Sequence, residues 1–114
     1  MKPPFDKCIE MLRSDVGMVY EDGYQGLQGY LESHLDQLIN LTNSENEPIM
    51  RSRLVELLGD SLNPVVIPHL KTQLNDVHEE VRMWAYLSLD GFETPEAKLL
   101  TEEFRKSHPN EDYL

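Results

Sequence analysis

The chain has 114 residues, with 21 Asp or Glu against 10 Lys or Arg and a formal charge of −11. That length suits a single domain over 1–114, and the charge argues against a phosphate-tracking surface, which needs clustered basic side chains. Nucleic acid is therefore not an expected partner. A hydrophobic share of 39% is ordinary for a folded domain and too high for charge-driven disorder. The lone cysteine, Cys8, excludes an internal disulfide and a multi-thiolate zinc site, and reads as a small core residue.

Pro3 and Pro4 suit the first turn of a helix that carries Phe5, Cys8, Ile9 and Leu12 on one face. The start of the chain has no apolar run of signal-peptide length, and no stretch reaches the ~18 apolar residues of a membrane span. A cytoplasmic protein without membrane contact is expected. Gly17 and the pair Asp22 and Gly23 are read as breaks. Leu27, Tyr30, Leu31, His34, Leu35, Leu38 and Leu41 then follow helical spacing and predict one long amphipathic helix. Pro48 opens a helix carrying Ile49, Met50, Leu54, Leu57 and Leu58 that stops at Gly59. Asn63 caps the next, with Val66, Ile67, Leu70 and Leu74 inward. Val81, Trp84, Ala85, Leu87 and Leu89 mark a helix ending at Gly91, and Thr94 with Pro95 opens the last, which buries Ala97, Leu100 and Phe104. Residues 107–114 read as a polar tail. The expectation is an all-α domain of five or six helices.

The pairs Leu35 and Ile67, Leu38 and Leu70, Ile49 and Val81, Leu57 and Leu89, and Gly59 and Gly91 each lie 32 positions apart. A period of this size, with two helices per unit, is what stacked helical hairpins produce. The run from Asp76 to Gly91 resembles the second helix of a HEAT-like repeat, in which Asp, Val-Arg, Ala and a small-Leu pair recur at these spacings. The preceding unit keeps the apolar positions and the glycine but carries Met50, Arg53 and Glu56 where that pattern places Arg and two Ala. The resemblance spans about 30–104. It implies a short α-solenoid that binds other proteins, with Asp76 capping its helix and Arg82 pairing between units.

No catalytic, cofactor or metal constellation is apparent. His34, His69, His78 and His108 share no ligand spacing, Gly23, Gly26 and Gly29 lack the context of a phosphate loop, and no nucleophile elbow is present. The glycines read instead as a loosened helix start or as places where backbones approach. Trp84 reads either as core or, beside Met83 and Tyr86, as an anchor for a partner.

Between Ser14 and Met50 there is no Lys or Arg, while Asp15, Glu21, Asp22, Glu32, Asp36, Glu45 and Glu47 are all acidic and Tyr20, Tyr24 and Tyr30 lie among them. Such a face either serves solubility or docks a protein with a basic surface, carboxylates steering the encounter and tyrosines supplying contact area. The resemblance extends to small acidic immunity proteins that neutralise a toxin, to adaptors or assembly factors, and to phycobilin lyases, which are enzymes. A non-catalytic binding protein is the reading carried forward, as a monomer or weak homodimer, because repeat ends expose apolar edges.

Overall fold

The computed structural model describes residues 2–114. It is all-helical, with seven α-helices among the described residues: α1 Phe5–Leu12, α2 Gly17–Gln28, α3 Leu35–Ser44, α4 Pro48–Asp60, α5 Ile67–Gln73, α6 Glu79–Asp90 and α7 Pro95–Ser107. A 3-10 turn, Pro64–Val66, leads into α5.

Local chemistry sets three of the starts. Glu47 accepts from the amides of Ile49 and Met50 ahead of Pro48, Asn63 from that of Val65 ahead of Pro64, and Thr94 from that of Ala97 ahead of Pro95. Leu12, Leu27, Leu38, Leu54, Leu57, Leu58, Leu70 and Leu89 are fully buried, and with Cys8, Val81 and Ala85 they form one continuous core. Leu100 is only half-buried, at the edge of that core.

Two boundaries differ from the sequence reading. Asp22 and Gly23 lie inside α2 rather than breaking the chain, and the predicted long helix is two, separated by turns over 29–34. Gly29 ends α2. The apolar spacing continues through the break because the turns keep helix-like bonds, Tyr30 N–H to the Leu27 carbonyl and His34 N–H to that of Tyr30.

α4 lies along α6 and touches α2; α3 packs against α4, while α5 and α7 pack against α6. α1 lies along α2, and the molecule extends over 45 × 26 × 21 Å. Close approach depends on Gly23, Gly26 and Gly59; a Cβ on Gly26 would stand 2.6 Å from Cys8 Sγ. A Cβ on Gly23 would stand 2.7 Å from the Leu12 amide nitrogen and 2.8 Å from the Cys8 carbonyl oxygen, and one on Gly59 would stand 2.3 Å from Ser88 Oγ. Gly59→Ala should therefore destabilise by about 1–3 kcal/mol, the range for overpacking. Adding Ser88→Gly should recover most of that loss in chemical denaturation, whereas additive losses would show that the contact is not what limits the site.

A polar ladder runs along the same packing. Arg13 pairs with Glu45 at 2.6 Å, Arg51 with Asp76 at 2.5 Å and Arg82 with Glu111 at 2.8 Å. Arg51 also donates to the carbonyl of Glu45 and Arg82 to that of Asp76, each six residues back, so the two arginines hold equivalent places 31 positions apart. Glu45 and Asp76 likewise accept from the amides of Glu47 and His78. The segment expected as a polar tail takes part: Glu111 receives Arg82, and the Tyr113 ring packs against Tyr86 and Phe104.

A candidate protein-docking groove

α2 places Tyr20 and Tyr24 one turn apart with Glu21 and Asp22 between them, α4 places Glu56 and Asp60 one turn apart, and α6 contributes Trp84. Where the three helices meet, Tyr20, Glu21, Asp22, Tyr24, Gln25, Glu56 and Trp84 line a cleft of about 600 Å³. A second cleft of about 290 Å³ shares Glu56 and Trp84 and continues past Asp60 to Leu62 and Leu87. The two form one open groove across α2, α4 and α6. Leu62, 63% exposed, stands at its rim with φ at 51°, a left-handed conformation that costs a leucine about 1–2 kcal/mol.

The lining is anionic and aromatic. The Tyr24 hydroxyl and Gln28 Nε2 both donate to Asp60 Oδ2, the latter at 3.0 Å. Burial and that bond to Asp60 push the Tyr24 hydroxyl far above its ordinary range, so it stays a donor. Burial likewise pushes the Glu56 carboxyl up; the Tyr24 hydroxyl opposes this and the neighbouring Asp60 charge adds to it. Arg53 sits 3.9 Å over the Tyr20 ring, but its Nη1 is taken by the carbonyls of Leu12 and Ser14. None of the ion pairs among the described residues includes Glu21, Asp22, Glu56 or Asp60.

A carboxyl raised on folding lowers stability wherever it is ionised, and the penalty disappears as pH falls through its unfolded value of about 4.3. Glu56→Gln should accordingly raise the melting temperature at neutral pH, with the gain vanishing toward pH 4. A variant less stable than the parent at pH 7 would mean that Glu56 holds the fold together rather than burdening it.

Other candidate residues lie elsewhere. Asp15 is exposed between α1 and α2, and Glu32 and Asp36 are exposed on the turns and first residues of α3, outside the groove lining. Glu45 and Glu47 are committed to Arg13 and to the α4 cap. Tyr30 belongs to the packing of the N-terminal segment: its hydroxyl donates to the Pro3 carbonyl at 2.5 Å, its ring meets Phe5 and His34 edge-on, and Lys2 Nζ lies 3.8 Å over it. Met83 is half-buried on α6. Tyr86 is not a surface anchor; it is 6% exposed, covered by Phe104 and Tyr113 and held through its hydroxyl by Arg105 at 2.8 Å. The sequence reading missed Glu56 and Asp60.

The histidines pack or pair separately, His34 on Phe5, His69 with Asn43, His78 with Asp76 and His108 on Phe104. Among the described residues no group of three His, Cys, Asp or Glu side chains is placed to hold a metal, and no helix is long and apolar enough to cross a membrane. Comparison with known proteins finds no family model, no curated protein and no solved structure that matches the chain.

Proposed function

We propose that the chain is a non-catalytic, HEAT-like binding module, a short α-solenoid of stacked helical hairpins that offers its acidic groove to a basic protein. Three features support the repeat reading: the packing of α3 on α4 and of α5 and α7 on α6, the 32-residue spacing and the equivalent settings of Arg51 and Arg82. The docking reading is carried by one observation, that four carboxylates with no ion pair among the described residues line the groove together with Tyr20, Tyr24 and Trp84. Carboxylates so placed raise the rate of encounter with a cationic protein, while Trp and Tyr provide the contact area that holds it. Within this class an inhibitor that occupies a cationic cleft, as an immunity protein does with its toxin, fits a small acidic chain best.

Trp84 is the single tryptophan and lies in the groove, so its fluorescence reports occupancy. Titration with small cationic proteins, nucleases among them, should shift its emission at low salt, and neutral proteins of equal size should not. A response that ignores ionic strength, or none with any cationic protein, overturns the proposal.

A further inference from the structure

α6 and α7 share a face that the chain covers with its own residues 109–114. Tyr86 and Phe104 form the apolar part of that face, 6% and 4% exposed, and Arg82 lies one helical turn before Tyr86 on α6. The cover is held by side chains. Its backbone bonds, Glu111 N–H to the His108 carbonyl and Leu114 N–H to that of Glu111, reach no further back than His108. Two anchors fix it. Glu111 Oε1 accepts from Arg82 Nε and Nη2, both at 2.8 Å, and the Tyr113 ring lies edge-on to Tyr86 and stacked with Phe104 at centroid distances of 6.0 and 6.4 Å. Glu111 takes for Arg82 the place that Asp76 takes for Arg51, but the fit is poorer. Asp76 divides Arg51 and the His78 amide between its two oxygens, whereas both Arg82 donors converge on one oxygen of Glu111. The Tyr113 hydroxyl is buried without a hydrogen-bond partner, because the donors of nearby Arg82 go to Glu111 and to the Asp76 carbonyl. A buried hydroxyl left so weakens the hold of its ring.

We propose that residues 109–114 are a detachable strap over a peptide seat, displaced by a partner segment that carries a carboxylate two residues ahead of an aromatic ring. His108 stays with α7 as the hinge, its ring stacked on Phe104 at 4.1 Å and its amide bonded to the Phe104 carbonyl. Once the strap leaves, Arg82 lacks its carboxylate and the Tyr86 and Phe104 rings lose a cover, so the seat demands the same two groups from whatever enters. Arg82, Tyr86 and Phe104 do not line the acidic groove, and the two places differ in sign: the groove is anionic and the seat is cationic. From within the chain the strap competes at an effective concentration of about millimolar, the order for a short tether, and this keeps the seat closed to weak ligands.

The test adds a free peptide of residues 108–114 to the full chain and follows binding by calorimetry. Tyr113→Ala in the chain opens the strap, and that variant should bind the peptide about tenfold more tightly than the parent, or better. Tyr113→Phe in the chain removes the unpartnered hydroxyl, closes the strap further and should weaken the peptide about tenfold relative to the parent. Changes in the peptide leave the protein untouched. There, Tyr113→Phe should strengthen binding to the opened chain by about tenfold, and Glu111→Gln should weaken it by about as much. Circular dichroism of the Tyr113→Ala chain should keep the parent's helical signal. Loss of that signal overturns the proposal, because it would make 109–114 part of the fold rather than a strap. Equal binding by the parent and Tyr113→Ala chains, binding by neither, or indifference to the glutamate of the peptide overturns it as well.

Discussion

Arg51→Ala should cost about 3–5 kcal/mol of stability, the range for breaking a buried ion pair from one side, while Arg13→Ala should cost about 0–1 kcal/mol. Both arginines sit in the same ladder and make the same kind of bond. Their surroundings separate them. The Arg51 and Asp76 side chains are 15% and 14% exposed, whereas Arg13 is 51% exposed and is screened by water. Arg51 also joins two elements at once, through the Glu45 carbonyl and Asp76 Oδ2, so its removal leaves a carboxylate and a carbonyl short of a donor. Arg51→Lys should recover little, because one ammonium cannot reproduce the fork that reaches both acceptors.

The pH dependence follows from Asp76. Burial pushes its carboxyl up, but the amide and ring of His78 and the Arg51 charge outweigh that and hold it below the ordinary value. A carboxyl lowered on folding contributes stability above its unfolded value, about 3.9, and loses it as pH falls through the folded one. The gap between parent and Arg51→Ala should therefore narrow below about pH 4. His78 keeps part of the acid sensitivity in the variant. Urea denaturation of the three proteins at two pH values checks the order, and equal losses from Arg13→Ala and Arg51→Ala would show that burial does not grade the ladder.

How far the sequence reading reached can be judged on particular residues. Leu38, Leu57, Leu70, Val81 and Leu89 were legible as core because their spacing is helical whatever the tertiary arrangement, and all five are fully buried. The break after α2 was harder, since Tyr30, Leu31 and His34 keep an apolar rhythm through the turns, Tyr30 and His34 packing on Phe5 and Leu31 on the core. Gly29 was the available signal for it. The acidic segment could be counted but not placed: its members went to a helix cap, an ion pair, an exposed turn and a groove, and only packing of α2 on α4 decides which. Glu56 came from outside that segment. Its signal was a departure from the expected pattern, which would carry alanine at Arg53 and Glu56; Glu56 lines the groove, and Arg53 lies over the Tyr20 ring. Local rules read best where a sequence pattern is regular, and Glu56, which departs from the expected pattern, is among the residues that line the groove.

Reversing charge in the groove should have the largest effect on association. Glu21→Lys with Asp22→Lys should slow binding of a cationic partner by about 10- to 100-fold at low salt, because steering by clustered carboxylates raises on-rates by factors of that order. Glu102→Lys with Glu103→Lys makes the same change in net charge on α7, away from the groove, and should leave the rate within about twofold. Glu32→Lys with Asp36→Lys should behave like the α7 control, since neither residue lines the cleft. The difference between the groove pair and the controls should shrink as ionic strength rises and the screening length falls toward roughly 8 Å. Tyr24→Phe should act on a different step. It removes one of two donors to Asp60 while keeping the ring, leaves Asp60 Oδ2 with the Gln28 amide alone, and should alter dissociation more than association. Stopped-flow measurement of Trp84 fluorescence separates the two rates. Equal slowing by all three charge reversals would show that the whole acidic surface, rather than the groove, draws the partner in.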